Sequence, residues 1–347
     1  MSDKPQIILA GDIGGTKSNL AILSVNGATL GMERNRRFPS ADYPSLNAII
    51  REFLRQEKGQ VLAACFGVPG PVKEGRVKTT NLSWGVDAAE IQTEFSIPHV
   101  SILNDLEANA YGIGELRSQD FAVIQRGAAE PEGNRCVVSP GTGLGEGGLY
   151  WDAQRKKYRV WACEGGHTDF GPRNELEIAL LEYLMKQHGR VSAERVVSGM
   201  GIENIYKFLR DTGRGRELPQ IASEMEQSGV GFTISRYADS GECQMCVQTI
   251  EIFVSALGAE AGNMALKAMA TGGIYLGGGI PAKIFNEARC KTFIQSFNEK
   301  GRLSSLMQTM PVKIVLNDQA ALLGAASYAL DRVDADSTQA PAPLPRV

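Results

Sequence analysis

The residues best suited to chemistry in this chain stand where strands give way to helices or turns. Two aspartates open helices directly after apolar strands, in Ile102-Leu103-Asn104-Asp105 and in Val315-Leu316-Asn317-Asp318. A carboxylate at the carboxyl end of a strand lies where α/β sheets place their ligands, and it can accept a proton from a hydroxyl. Its plainer duty is to cap the helix. The two aspartates differ in company. A Gly-rich turn with its own aspartate, Asp12, belongs to the half that holds Asp105, whereas the corresponding turn at 141–145 has none. Asp105 is therefore the expected general base and Asp318 the expected cap.

Gly11-Asp12-Ile13-Gly14-Gly15-Thr16-Lys17 falls between two strands. It is not a P-loop, because its lysine follows the threonine and a strand follows instead of a helix. A hairpin with three glycines still brings backbone N–H groups close to a phosphate, and Thr16 adds a hydroxyl. Asp12 is placed to hold hydrated Mg²⁺, which keeps most of its waters and takes few carboxylates. The alternative is a plain Gly-rich hairpin. The second such turn, Pro140-Gly141-Thr142-Gly143-Leu144-Gly145-Glu146-Gly147-Gly148, contains G-x-G-x-x-G. A strand follows it, however, and the dinucleotide fingerprint must open a helix. Two Gly-rich hairpins, one per half, suit the phosphate tail of a nucleotide held by two domains. Gly277-Gly278-Gly279-Ile280 lies between a strand and a helix; it either lets a base or ribose approach the backbone or simply connects the two elements.

A third cluster is Cys163-Glu164-Gly165-Gly166-His167-Thr168-Asp169. Glu-x-x-His invites a metal, but di-iron sites need two such motifs on helices, and this chain has only three histidines. The two glycines argue for a tight loop that presents Glu164 and His167 to a small polar ligand. Glu194, in Val191-Ser192-Ala193-Glu194-Arg195-Val196, reads on its own as a solvated surface charge.

The elements that must position these groups follow a repeated order. Apolar runs at 7–10, 18–25 and 30–38 read as strands, 46–58 as an amphipathic helix, 61–68 and 99–103 as strands, with helices near 87–95 and from Asp105. The second half offers strands at 136–139, 148–151 and 158–163. Helical sequence then runs over 174–270, with loops near 189–199 and 229–239. Strands at 274–276 and 312–316 and helices at 282–300 and 319–330 complete it. The matching Leu-Asn-Asp segments, with Ala108 and Ala321 at equal offsets, support an internal duplication. The expected domains are a smaller N-terminal α/β domain, 1–117, completed by the C-terminal helix 318–330, and a larger one, 118–317. The tail 331–347, with three prolines among Ala, Asp and Ser, reads as disordered.

Composition narrows the class. A net charge of −3 over 347 residues argues against a basic nucleic-acid surface, and no apolar run approaches a membrane span. No signal-peptide pattern stands at the start. The six cysteines do not form a disulfide framework, and the single C-x-x-C at Cys243 and Cys246 falls short of a zinc site. A soluble protein of the reducing cytoplasm is expected. Glycine makes up 39 residues, about 11% against a usual ~7%; much of that excess gathers in the turns described above, and the tail contains none.

With GDIGGTKSNLAIL, FGVPGPV, TTNLSWG, ILNDLEANAYG, SPGTGLGEGG, EGGHTDFGPRNE, HGRVSAERVVSGMGIENIY and IYLGGGI in this order, the chain resembles the bacterial-type glucokinases of the actin-like sugar kinase superfamily. EGGHTDF with SAERVVSG points to the enterobacterial group and away from the related family that carries a cysteine-rich zinc motif. The resemblance spans nearly everything up to Leu330. It implies two related actin-like (ribonuclease H-like) α/β domains with a ligand cleft between them. The implied activity is phosphorylation of D-glucose to glucose 6-phosphate by ATP with Mg²⁺, the entry step of glycolysis, in a cytoplasmic homodimer that binds neither nucleic acid nor membrane. By the family's motifs Asp105 is the general base and Asn104 a sugar ligand, and Glu164, His167 and Glu194 complete the sugar shell. Gly11 to Thr16 form the first phosphate segment, Gly141, Thr142 and Gly143 the second, and Gly277 to Gly279 the adenosine segment. Two alternatives stay open from the residues alone: a kinase of another hexose or acceptor on the same fold, and a sugar sensor without turnover.

Overall fold

The computed structural model describes residues 6–26, 29–79 and 82–338. Contacts divide the chain into two units, one reaching Arg117 and resuming at Asn317, the other spanning Ser118–Leu316.

The first unit is built on β1 (Gln6–Ile13), β2 (Lys17–Asn26), β3 (Thr29–Pro39), α1 (Leu46–Leu54), β4 (Gln60–Val68), the short β5 (Arg76–Val77) and β6 (Val86–Asp87), α2 (Ala88–Phe95), β7 (His99–Asn104) and α3 (Asp105–Gly112). Its main sheet has the order β3-β2-β1-β4-β7, antiparallel across the first three strands and parallel from β1 through β4 to β7. β1 is buried on both faces, and its alternating side chains separate two cores. Ile7, Leu9 and Ile13 pack with Leu46, Ile49, Ile50 and Phe53 of α1, while Ile8 and Ala10 face a core made mostly of alanines. Each fully buried Ile, Leu or Phe contributes roughly 1.5–3 kcal/mol. Ser45 caps α1 by accepting from the Ala48 N–H at 3.2 Å. The helix stops at Leu54, short of the expected Lys58, because the Glu57 carboxylate takes the N–H groups of Lys58 and Gly59 in a turn.

The second unit comprises β8 (Phe121–Gln125), β9 (Arg135–Pro140), β10 (Leu144–Asp152), β11 (Lys157–Cys163), α4 (Glu175–His188), α5 (Gly199–Asp211), α6 (Pro219–Ser228), α7 (Val230–Ser240), α8 (Gln244–Ala268), β12 (Gly273–Leu276), α9 (Pro281–Ile284), α10 (Glu287–Asn298), α11 (Ser304–Thr309) and β13 (Val312–Val315). Its sheet order is β11-β10-β9-β12-β13-β8. The first five strands repeat the first unit's arrangement, antiparallel through β11, β10 and β9 and parallel through β9, β12 and β13. β8 adds an antiparallel edge that the strand pattern did not announce. The span near 229–239, expected as loop, is broken only at Gly229 and otherwise forms α7.

α12 (Ala320–Thr338) returns the chain to the first unit and packs on β1, β4 and α3 through Ala321, Ala325, Ala326 and Ala329. The expected tail is corrected here: residues 331–338 continue the helix, because their Asp, Arg, Val and Ala residues include no glycine or proline to end it. Residues 339–347 lie outside the described residues. Cys243 and Cys246 are buried free thiols at the start of α8. Among the described residues, no helix is long and apolar enough to cross a membrane.

Candidate active site

In the first unit the expected chemical residues gather at the carboxyl ends of β1, β4 and β7. Asp105 is the first residue of α3, but the capping duty falls to its neighbour. Asn104 Oδ1 accepts from the Leu106 N–H at 2.9 Å, and the Asn104 N–H donates to Glu107 Oε2 at 2.9 Å, a reciprocal capping box. The Asn104 amide also donates to the Gly70 carbonyl at 3.2 Å, so its orientation is fixed before any ligand arrives. Asp105 stands in the first turn, where the helix dipole favours a carboxylate. Gly67, at the end of β4, is bare where a Cβ would meet Ala108 Cβ at 2.8 Å and Asp105 Cα at 3.6 Å. That close approach seats the start of α3 against the sheet.

Asp12 lies inside β1, not in the turn, and the turn itself is Gly14 to Thr16. It belongs to a row set by strand register: Asp12 faces Asn19, and Asn19 faces Arg37. Asn19 Nδ2 donates to Asp12 Oδ2 at 3.2 Å, Arg37 Nε donates to Asn19 Oδ1 at 2.9 Å, and Arg37 Nη2 is 3.6 Å from Asp318 Oδ2. Burial pushes the Asp12 carboxyl above its ordinary value; the Asn19 bond and Arg37 oppose the rise, while Asp105 and Asp318 add to it. Asp318, expected as a cap, is exposed and paired with Arg37, and Asn317 Oδ1 accepts the Gln319 N–H instead. The turn is braced by Ser40, which donates through Oγ to the Gly14 carbonyl at 2.7 Å and through N–H to the Thr16 carbonyl at 3.0 Å. Gly11 is bare for packing, since a Cβ there would lie 2.5 Å from the Phe66 ring. Ile13 is buried in the core beside it.

In the second unit, three separate segments meet around Leu144. The Glu194 carboxylate accepts the Leu144 N–H at 2.9 Å, and a Cβ on Gly143 would strike the same carboxylate. Glu194 is thus half-buried and tied to the turn before β10, not a free surface charge. Glu164 and His167 flank the buried Gly165 and Gly166, are themselves exposed, and approach to 4.0 Å through Oε2 and Nε2. This turn is joined to the Glu194 segment by the bridge between Asp169 and Ser192 and by the Ala193 N–H donating to the Thr168 carbonyl at 2.8 Å. Gly141 to Gly143 closes the hairpin, with the Gly141 N–H donating to the Gly143 carbonyl at 2.8 Å. Gly278, with φ +76°, lies where a Cβ would be 2.5 Å from the Pro140 carbonyl, so the turn Gly277 to Gly279 rests beside Gly141 and Thr142. Gly141 and Gly279 face open space.

Asn19, Arg37, Ser40 and Glu146 are the residues that pattern reading passed over. Asn19 was recoverable by counting the hairpin register outward from the turn. Glu146 was recoverable as a lone charge inside an apolar, glycine-rich strand.

Two sheets of one topology, each ending in a glycine turn and a strand–helix junction, define the actin-like sugar kinase fold. A crystal structure of glucokinase from an Antarctic psychrotroph superposes with a TM-score of 0.82 at 34% identity, covering 95% of this chain and 100% of that one. The glucokinase family model matches residues 9–332, and the chain belongs to that family. It is 41% identical to the glucokinase of Nostoc sp. over 92% of this chain and 98% of that protein. The Cronobacter sakazakii glucokinase is 32% identical over 92% of this chain and 96% of its own length.

Proposed function

We propose that Asp105 is the general base of a glucokinase reaction in which the 6-hydroxyl of D-glucose takes the γ-phosphoryl group of ATP. The observation that carries the sugar assignment is the meeting of Glu164, His167 and Glu194 around Leu144, although they come from separate segments. Carboxylates, an imidazole and the Asn104 amide offer donors and acceptors to a ring of hydroxyls. A wrong epimer would leave some of them unpaired, which is how such a site discriminates. Asp105 accepts the hydroxyl proton as the oxygen attacks, and Asn104 orients the sugar beside it.

Phosphoryl transfer asks the protein mainly for positioning and charge stabilisation. The turns Gly14 to Thr16 and Gly141 to Gly143 are assigned to the phosphates, through N–H groups other than those of Gly14 and Gly141, which bond the Lys17 and Gly143 carbonyls within the hairpins, with Gly277 to Gly279 against the adenosine. The donor set around Asp12 fits Mg²⁺: a hard carboxylate oxygen with Asp105 and Asp318 close enough to raise its pKa. Asp12 would hold it through water, and when bound it would neutralise phosphate charge. We place the chain in the cytoplasm as a homodimer, in keeping with its six free cysteines and the family.

A coupled assay with a panel of hexoses against ATP, ADP and polyphosphate tests the reading. Glucose with ATP is expected to give the highest kcat/KM; equal turnover of mannose or fructose would make it a broader hexokinase. Glu194→Ala is expected to weaken glucose binding by about tenfold or more and ATP binding by less than about twofold, read by calorimetry of each ligand. Equal losses for both ligands would remove Glu194 from the sugar shell.

A further inference from the structure

The strand beneath the sugar-side turn hides a carboxyl group that the reaction above does not employ. Glu146, on β10, is 1% exposed and lies opposite Cys163 of β11. Its Oε1 has no hydrogen-bond partner among the described residues. Its Oε2 occupies the place a Cβ on Gly165 would take, and Cys163 Sγ lies 3.1 Å from that same point. Gly166 rests in the same way on the Leu144 carbonyl. The turn that carries Glu164 and His167 therefore sits directly on Leu144 and Glu146, and the Leu144 N–H also holds Glu194.

The titratable groups around Glu146 are Cys136 of β9, Cys163 of β11 with Glu164 beyond it, and Glu260 and Lys267 of α8, while His167 stands exposed on the turn. None makes an ion pair with it among the described residues, and Glu260 has an unpartnered buried oxygen of its own. Burial pushes the Glu146 carboxyl up to about 8, with Glu260 adding to the rise and Lys267 opposing it.

We propose that Glu146 is a positioning residue for the hexose: as a neutral acid it supports the turn bearing Glu164 and His167, and its ionisation displaces that turn and weakens sugar binding. This rests on the reading of that turn as part of the sugar site. A buried carboxylate without a partner must draw water to itself. The turn lying on it is flanked by exposed side chains, so water reaches the carboxylate by moving the turn. The released proton passes to solvent.

Calorimetric titration of the full-length wild-type protein with glucose, and separately with ATP, between pH 7 and 9 tests this. Glucose affinity is expected to fall about tenfold across that range, the fall that one ionisation near 8 gives when only the neutral form binds, while ATP affinity changes less than about twofold. Glu146→Gln, which keeps the neutral shape, is expected to flatten the glucose profile and to raise Tm at pH 8.5. A constant wild-type glucose affinity from pH 7 to 9 overturns the proposal without any variant. A Glu146→Gln profile that falls like the wild type overturns it equally. Glu164→Ala at pH 7 separates the two readings. Unchanged glucose binding there removes the turn from the sugar site, whereas weakened binding together with a flat wild-type pH profile rejects only the role of Glu146.

Discussion

Asp105→Asn is expected to lower kcat by about 10²–10⁴-fold while glucose affinity stays within about twofold of wild type. The substitution removes the capacity to accept a proton and little else. Asparagine has nearly the same shape, and its carbonyl oxygen can still accept the Leu106 N–H that Asp105 Oδ1 accepts at 3.0 Å. The capping box of α3 belongs to Asn104 and Glu107, so the helix start survives. The stability cost is then confined to a first-turn charge, about 0.3–1 kcal/mol. Steady-state kinetics with glucose calorimetry checks both halves of the statement. Near-normal turnover would sink the base assignment, and a parallel loss of glucose affinity would make Asp105 a sugar ligand first.

The contrast between Asp105 and Asp318 shows how far the sequence could be read. The duplicated Leu-Asn-Asp segments placed both at strand–helix junctions, and both are there. Which residue caps was not legible, because aspartate and asparagine are both good caps and the choice depends on where the helix starts. Asn104 takes the role for α3, whereas Asn317 accepts the Gln319 N–H in the turn ahead of α12 and Asp318 pairs with Arg37. The glycines divide in the same way. Gly141 and Gly279 face open space as a ligand turn requires, but Gly11 is bare because Phe66 of a strand far along the chain crosses it. Local spacing carries no record of such a neighbour. The C-terminal helix was read too short for a related reason: the three prolines that made the tail look disordered stand at 341, 343 and 345, beyond the helix end at Thr338.

In the proposed reaction that helix also supports the placement of Asp105 through α3, and Gly324 is where the support is most exposed to damage. Gly324→Ala is expected to destabilise the protein by about 2 kcal/mol and to lower Tm by several degrees. On an isolated helix the change would stabilise by roughly 1 kcal/mol, because alanine is the better helix former. The opposite sign is expected because α3 and α12 touch backbone to backbone at this point. A Cβ on Gly324 would fall on the Ala108 carbonyl, and one on Gly112 would fall on the Ala320 carbonyl. No rotamer relieves a clash with main chain, so the helices must separate. They would strain the Tyr111–Tyr328 edge contact, with centroids 5.1 Å apart, and the Ser327–Glu115 hydrogen bond of 2.7 Å. Asp105 is the first residue of the displaced helix, so kcat is also expected to fall, by about tenfold at temperatures well below Tm, since shifts near 1 Å at a reacting group are costly. Thermal unfolding and kcat of the same preparation provide the check. A higher Tm for Gly324→Ala would show that helix propensity outweighs the crossing, and an unchanged kcat in a destabilised protein would uncouple α12 from the placement of Asp105.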